Sequence, residues 1–402
     1  MLQRTRDSSI HIHICEPVSK IPFTAFGHGG PAETTDLVQA IAPHTRRVHS
    51  LDVESGESSE EFVRAVMNLW LDDGSVRLPR SVVVYQSEKA RDLFFEGSIN
   101  RAVASLEESR EVLQSSPGIL QLYNVYLSWD NPSYHGLAEL ELGFPERTLV
   151  TIPEPQLASI LSASPALAVL KLDNLIVTPV EGSSTSTPII LSCLKVLRVF
   201  LVSPQSTNLF LPLIRPSPTS PIQVSMAVTD FPEIYEETRR FFADSCITAL
   251  HCHALDTFDS AMSLLQLVFS SLYHLSTLVL SGFDLHHLAF QINQTFSQPT
   301  SFVCRPAIVL LACRVTFEGL DSLILRHGVR DLRLEHCRSI GPGVFRITLR
   351  SIQASLLEVY PDLRCSISDA MDSTSKLPCR TMLGRPAVWQ SSQIVNRLMA
   401  GW

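Results

Sequence analysis

The sequence predicts an α/β solenoid of irregular repeats, a horseshoe with a parallel inner sheet and outer helices. Three observations carry this prediction. First, Val329–Ile340 (VRDLRLEHCRSI) sets Val329, Leu332, Leu334, Cys337 and Ile340 at the spacing L-x-x-L-x-L-x-x-C-x-x-I. That is a leucine-rich-repeat form, in which the L-x-L part is a short strand and the Cys and Ile turn the chain back over the same apolar layer. Second, degenerate copies of the template recur at a nearly constant period. Third, stretches with helical spacing lie between the copies, and strands joined by crossing helices build a parallel sheet.

Taken in order, Ile10, Ile12 and Ile14 alternate with His11 and His13, as in a strand with one buried face. A turn-rich segment with Gly27, Gly29, Gly30 and Pro31 leads to a helical pattern from Glu33 to Ile41, with Leu37, Val38 and Ile41 on one side. Val48, Leu51 and Val53 read as the next strand. Glu60 to Leu71 places Phe62, Val66, Leu69 and Trp70 at helical spacing, with acidic residues at the start where the helix dipole favours them. Val82 to Tyr85 reads as a buried strand, the region up to Leu113 as helical, and Pro117-Gly118 as its end.

From there the period sharpens. Leu137-x-x-Leu140-x-Leu142, Leu167-x-x-Leu170-x-Leu172, Leu194-x-x-Leu197-x-Val199, Ile247-x-x-Leu250-x-Cys252 and Leu275-x-x-Leu278-x-Leu280 share one template, which Ile308-x-Leu310-x-x-Cys313 extends. Their middle apolar residues fall at 140, 170, 197, 250, 278, 308 and 332, giving steps of 30, 27, 53, 28, 30 and 24 residues. The long step is two periods of a ~27-residue repeat, and the weak strand Ile222, Val224, Met226 falls in its middle. Helical patterns occupy Gln156 to Leu161, Tyr235 to Phe242 and Ala261 to Phe269. Gly182 to Pro188 and the proline-rich Ser203 to Pro221 read as surface loops. Beyond Ile340, Ile347 and Leu349 suggest one more strand and Ile352 to Val359 one more helix. The solenoid is thus expected over residues 1–365, clearest over 137–340, with an irregular tail over 366–402.

Composition narrows the function. With 402 residues, 45% of them apolar, the chain can bury a large core. A net charge of -8, from 32 basic and 40 acidic residues, leaves no footprint for nucleic acid. The opening residues lack an apolar signal core, and the most hydrophobic later stretch, Ile189 to Val202, is broken by Lys195 and Arg198. The expectation is an intracellular protein, cytoplasmic or nuclear, without a membrane partner. Nine cysteines with no C-x-x-C pair fit a reduced compartment.

No cofactor, metal or catalytic residue is expected. In His251-Cys252-His253 the two His point to one face of a strand and the Cys to the other, so at most two His ligands converge, and zinc needs three or four. His11, His13, His286 and His287 read as surface residues. Cys252, Cys313 and Cys337 occupy inward positions, where thiols are inert. No G-x-S-x-G elbow occurs, and Gly27-His-Gly-Gly30 lacks the Lys-Ser/Thr of a phosphate loop. The candidate binding residues are those flanking the L-x-L leucines, which point away from the core to an inner face. They are Lys171, Asp173, Arg198, Phe200, His251, His253, Asp331, Arg333 and Glu335, expected on an open, solvated sheet.

The run Leu122–Trp129 (LYNVYLSW), followed by Tyr134-His-Gly-Leu137-Ala-Glu-Leu140-Glu-Leu142, resembles the large fungal family of F-box proteins with irregular leucine-rich repeats. IHIHICEP near the start and Ser50-Leu-Asp-Val-Glu54 are similar to earlier parts of the same pattern, so the resemblance reaches to about residue 365. It implies a receptor whose repeats hold a protein target while an N-terminal F-box recruits a ubiquitin ligase through its adaptor. An F-box is a helical module, and the few residues before Ile10 do not accommodate one, so adaptor binding is expected only with an F-box upstream. The expected function is protein binding, by resemblance substrate recognition for a ubiquitin ligase. The alternatives are a free-standing repeat scaffold with no ubiquitin role and, remotely, a Cys/His-dependent enzyme.

Overall fold

Alternating apolar residues give most strands one face to bury, and in a computed structural model of the chain the strands bury it side by side. The structure describes residues 9–15, 31–55, 60–71, 79–86, 93–95, 118–145, 148–180, 187–201, 203–228, 235–254, 267–268, 271–285, 306–340 and 348–368. These fall into two compact units, one up to Leu194 and one from Lys195.

In the first unit, β1 (Ile10–Cys15), β2 (Val48–Ser55), β3 (Ser81–Gln86), β4 (Ile119–Tyr123), β5 (Glu139–Gly143) and β6 (Val169–Asp173) pair in sequence order, all parallel. The register aligns one apolar residue per strand: Ile12 with Leu51, Leu51 with Val82, Val82 with Leu120, Leu120 with Leu140, and Leu140 with Leu170. Helices α1 (Pro31–Ile41), α2 (Glu60–Leu71) and α3 (Glu154–Ser162) lie between strands in the chain. On α2 the buried residues are Val63, Val66, Met67 and Trp70. That i, i+3, i+4, i+7 stripe is turned slightly from the expected one, leaving Phe62 and Leu69 half-buried.

The second unit repeats the scheme with β7 (Val196–Phe200), β8 (Ile222–Val228), β9 (Ile247–Ala254), β10 (Thr277–Ser281), β11 (Ala307–Leu311), β12 (Asp331–Glu335) and β13 (Arg364–Ser368). Leu197, Val224, Leu250, Leu278, Ile308, Leu332 and Cys365 stand opposite one another in successive pairs. The weak strand in the 53-residue step is therefore a full member of the ladder. In both units the aligned residues from Leu51 to Leu332 are each at most 2% exposed. Helices α4 (Pro204–Phe210), α5 (Tyr235–Asp244), α6 (Phe317–His327) and α7 (Leu349–Val359) are among those that connect these strands.

A repeated corner closes many of the strands. Asn124, Asn174, Gly282, Ala312 and His336 each follow the last residue of a strand, and each has φ between 52° and 77°. The left-handed turn keeps the N–H in the ladder: Ala312 donates to the Glu335 carbonyl at 2.8 Å and Gly282 to Leu311 at 3.0 Å. The next residue in three of these corners, Val125, Leu175 and Cys313, is fully buried.

Two expectations need correction. Ser203 to Pro221 is not a loop: Ser203 caps α4 by accepting from the Ser206 N–H at 3.1 Å, with Pro204 in the first turn, and Phe210 is completely buried. Serine followed by proline is a helix start, because proline lacks the N–H that the first turn cannot use. Leu349 is not in a strand, since Thr348 caps α7 there by accepting from Ser351 N at 3.2 Å. The expected helix up to Leu113 lies outside the described residues, apart from a short strand at Leu93–Phe95. So do Gly27–Gly30, residues 182–186, the Ala261–Phe269 pattern except 267–268, Ile347, His286-His287 and everything past Ser368. No helix among the described residues is long and apolar enough to cross a membrane.

Candidate functional site

Because side chains alternate along a strand, the residues flanking the aligned leucines fall in rows on the other face of each ladder. In the first unit one row runs Asp52, Val83, Gln121, Glu141, Lys171. Lys171 Nζ donates to Glu141 Oε2 at 2.9 Å, with both side chains largely buried. The neighbouring row contains Tyr85 and Tyr123, whose rings stack at 4.9 Å and 13°. Asp173, further along that row, is 3% exposed. Sequence reasoning did not single out the tyrosine pair, although both occupy the third position after the aligned residue.

In the second unit the rows begin with a cationic and aromatic cluster. The Arg198 guanidinium lies 4.7 Å from the Phe200 ring centroid, a cation–π arrangement. Phe200 meets the rings of His251 and His253 edge-on at 6.1 and 6.0 Å. His253 Nδ1 and Ser281 Oγ are 3.1 Å apart. Burial, reinforced by His253 and Arg198, pushes the His251 imidazole down to about 3, so it is neutral at ordinary pH. Its Nε2 is buried without a hydrogen-bond partner.

The expected open, solvated face is corrected across the middle of this unit. Ala249, Val279, Val309 and Leu311 form a buried apolar cluster there, and Val279 and Val309 have no exposure. Thr277 and Ser281 beside them are buried as well. Arg198, Phe200 and His251 are likewise buried, at 4, 8 and 3% exposure. Of the nine residues marked by the sequence, the half-buried ones are Lys171, His253, Asp331, Arg333 and Glu335. The last three share β12, where Asp331 and Arg364 approach to 3.9 Å across the pairing with β13.

The hydroxyl of this cluster is Ser281 Oγ, beside His253 Nδ1. Cys252 faces the leucine side, is fully buried, and its thiol is pushed up by desolvation. Cys313 donates to the Leu280 carbonyl at 3.3 Å, Cys337 to Leu310 at 3.2 Å, and burial pushes the Cys313 thiol up too. The cluster sets a guanidinium, edge-on rings and a hydroxyl–imidazole pair side by side. No protein-family model matches the chain, and no match was found among curated proteins.

Proposed function

We propose that the chain is an irregular leucine-rich-repeat solenoid that binds protein targets through the polar rows of its strands. Its role by family resemblance is substrate recognition for an F-box-type ubiquitin ligase. One observation carries the binding reading: the constant register, which sets a side chain from each successive strand into the same row. Where such rows are exposed, they offer a macromolecule several side chains at once. Their partly accessible members include Asp331, Arg333 and Glu335 on β12, a charged trio centred on arginine, a residue favoured at contact hot spots.

The test is affinity capture with the full chain, followed by cross-linking and mass spectrometry. Reversing the trio (Asp331→Lys, Arg333→Glu, Glu335→Lys) is expected to weaken capture of the bound protein at least about tenfold. Reversing Glu236 on the exposed side of α5 should leave it unchanged. Equal capture by both variants would remove the trio from the binding surface. Direct binding to the ligase adaptor would assign the ubiquitin role, and target capture without adaptor binding would assign the free-standing scaffold.

A further inference from the structure

A different cluster sits on the first two strands. His13 and Cys15 are two residues apart on β1, and Asp52 and Glu54 are two apart on β2, so each pair shares a face. The parallel register sets His13 opposite Asp52 and Cys15 opposite Glu54. Four potential metal donors therefore stand at the corners of one small patch, H-x-C against D-x-E.

Their donor atoms converge. His13 Nε2 is 3.0 Å from Cys15 Sγ and 3.7 Å from Asp52 Oδ2, and Cys15 Sγ is 3.6 Å from Glu54 Oε2. The ligand atoms of His13, Cys15 and Glu54 all lie within 4.8 Å of one another. Donors bound at zinc distances in a tetrahedron are separated by about 3.3–3.8 Å. The observed separations bracket that spacing, so small side-chain rotations would bring the donors around one ion.

The donor chemistry selects the ion. Calcium and magnesium take oxygen ligands, whereas one thiolate, one imidazole and carboxylates suit a borderline cation such as zinc. A divalent cation placed among these donors would stand beside two carboxylates and displace the thiol proton on binding.

We propose that His13, Cys15 and Glu54 bind a zinc-class divalent cation, with Asp52 as fourth donor, forming a clip that ties β1 to β2. On binding, the Cys15 S–H gives its proton to solvent and the thiolate, the imidazole Nε2 and the carboxylates donate to the metal, with no redox change. β1 begins the ladder order and β2 is its neighbour there, so the clip would hold the end strand in register.

The test is titration of the full, freshly reduced chain with Co²⁺ and then Zn²⁺. Expected are one equivalent of cobalt, a thiolate-to-cobalt charge-transfer band that zinc abolishes, and a zinc-dependent rise in melting temperature. Cys15→Ser should lose the band and the rise, and Glu54→Gln and Asp52→Asn should weaken zinc binding at least about tenfold. His11→Asn, a neighbouring exposed histidine outside the cluster, should bind normally. Absence of the band in the unmodified chain, or its survival in Cys15→Ser, overturns the proposal. Should Cys15→Ser fail to fold by circular dichroism, His13→Gln decides by the same band: its loss supports the site and its persistence overturns it.

Discussion

At the scale of single residues, the strand-ending corners place an unusual demand on side chains. A left-handed backbone costs a residue with a Cβ about 1–2 kcal/mol, and asparagine or glycine meets it best. Ala312, at φ 53°, carries only a methyl group, with no polar atom to offset that cost. Ala312→Gly is therefore expected to raise stability by about 0.5–1 kcal/mol, the strain relief less the added freedom of the unfolded glycine, read as a shift in urea midpoint. The same exchange at Asn174 should lower stability instead. There the side-chain amide donates to the Phe144 carbonyl at 2.7 Å, and glycine would remove that bond.

Tyr134 illustrates a buried polar handle. It is completely buried, donates to the Leu127 carbonyl at 3.3 Å and accepts from the Leu127 N–H at 3.1 Å. Tyr134→Phe keeps the packing and strands that N–H, so a loss of about 1–3 kcal/mol is expected in denaturant unfolding. His251 makes stability depend on pH. An unfolded imidazole binds its proton near pH 6.5, whereas the folded one resists to about 3. The stabilising effect of neutral His251 is thus complete above about pH 6.5 and is lost as pH falls towards 3, by up to about 1.4 kcal/mol per unit. The difference between the stability curves of the unmodified protein and His251→Gln should show this slope, because the carboxylates common to both cancel.

At the scale of elements, caps and close approaches decide what hydrophobic pattern leaves open. Helix α6 was absent from the pattern reading, yet its punctuation is present in the sequence. Thr316 accepts from Gly319 N at 3.0 Å, and Gly328 ends the helix at φ 59°. Gly319 is there for another reason as well: a Cβ on it would press into the backbone carbonyl of Leu285. Backbone cannot swing aside as a flexible side chain can, so Gly319→Ala is expected to cost about 2–3 kcal/mol in chemical denaturation. The proline count hid α4, because five prolines from Pro204 to Pro221 suggest a loop by composition while the Ser203-Pro204 step is a cap by position.

At the scale of the molecule, the ladders are set by residues far apart in the chain. Leu332 stands between Ile308 and Cys365 and has no exposure. Leu332→Asp would bury an unpaired carboxylate at a penalty of several kcal/mol. Loss of the folded circular-dichroism signal, or aggregation on size exclusion, is the expected outcome, and a native melting curve would overturn the register.

The sequence by itself determined most of the strands, their spacing and the residues that align, because burial of one face writes a period-two pattern locally and the strand-to-strand interval writes a longer one; it did not mark β4, and it assigned to the tail residues that pair in β13. It also held a sign that the expected solvated face was wrong. β10 (TLVLS) and β11 (AIVLL) run apolar without alternation, the pattern of strands buried on both sides. Only the tertiary structure decided that Arg198 and His251 are buried with Phe200 between them, since a charge or an imidazole carries no local mark of its surroundings. Only the tertiary structure, likewise, brought His13 and Cys15 against Asp52 and Glu54. Their convergence rests on a parallel register between strands 39 residues apart, shifted by the irregularity at Ile10/His11. Pairing across that distance is a property of packing, which chooses one register from several that the alternation alone permits.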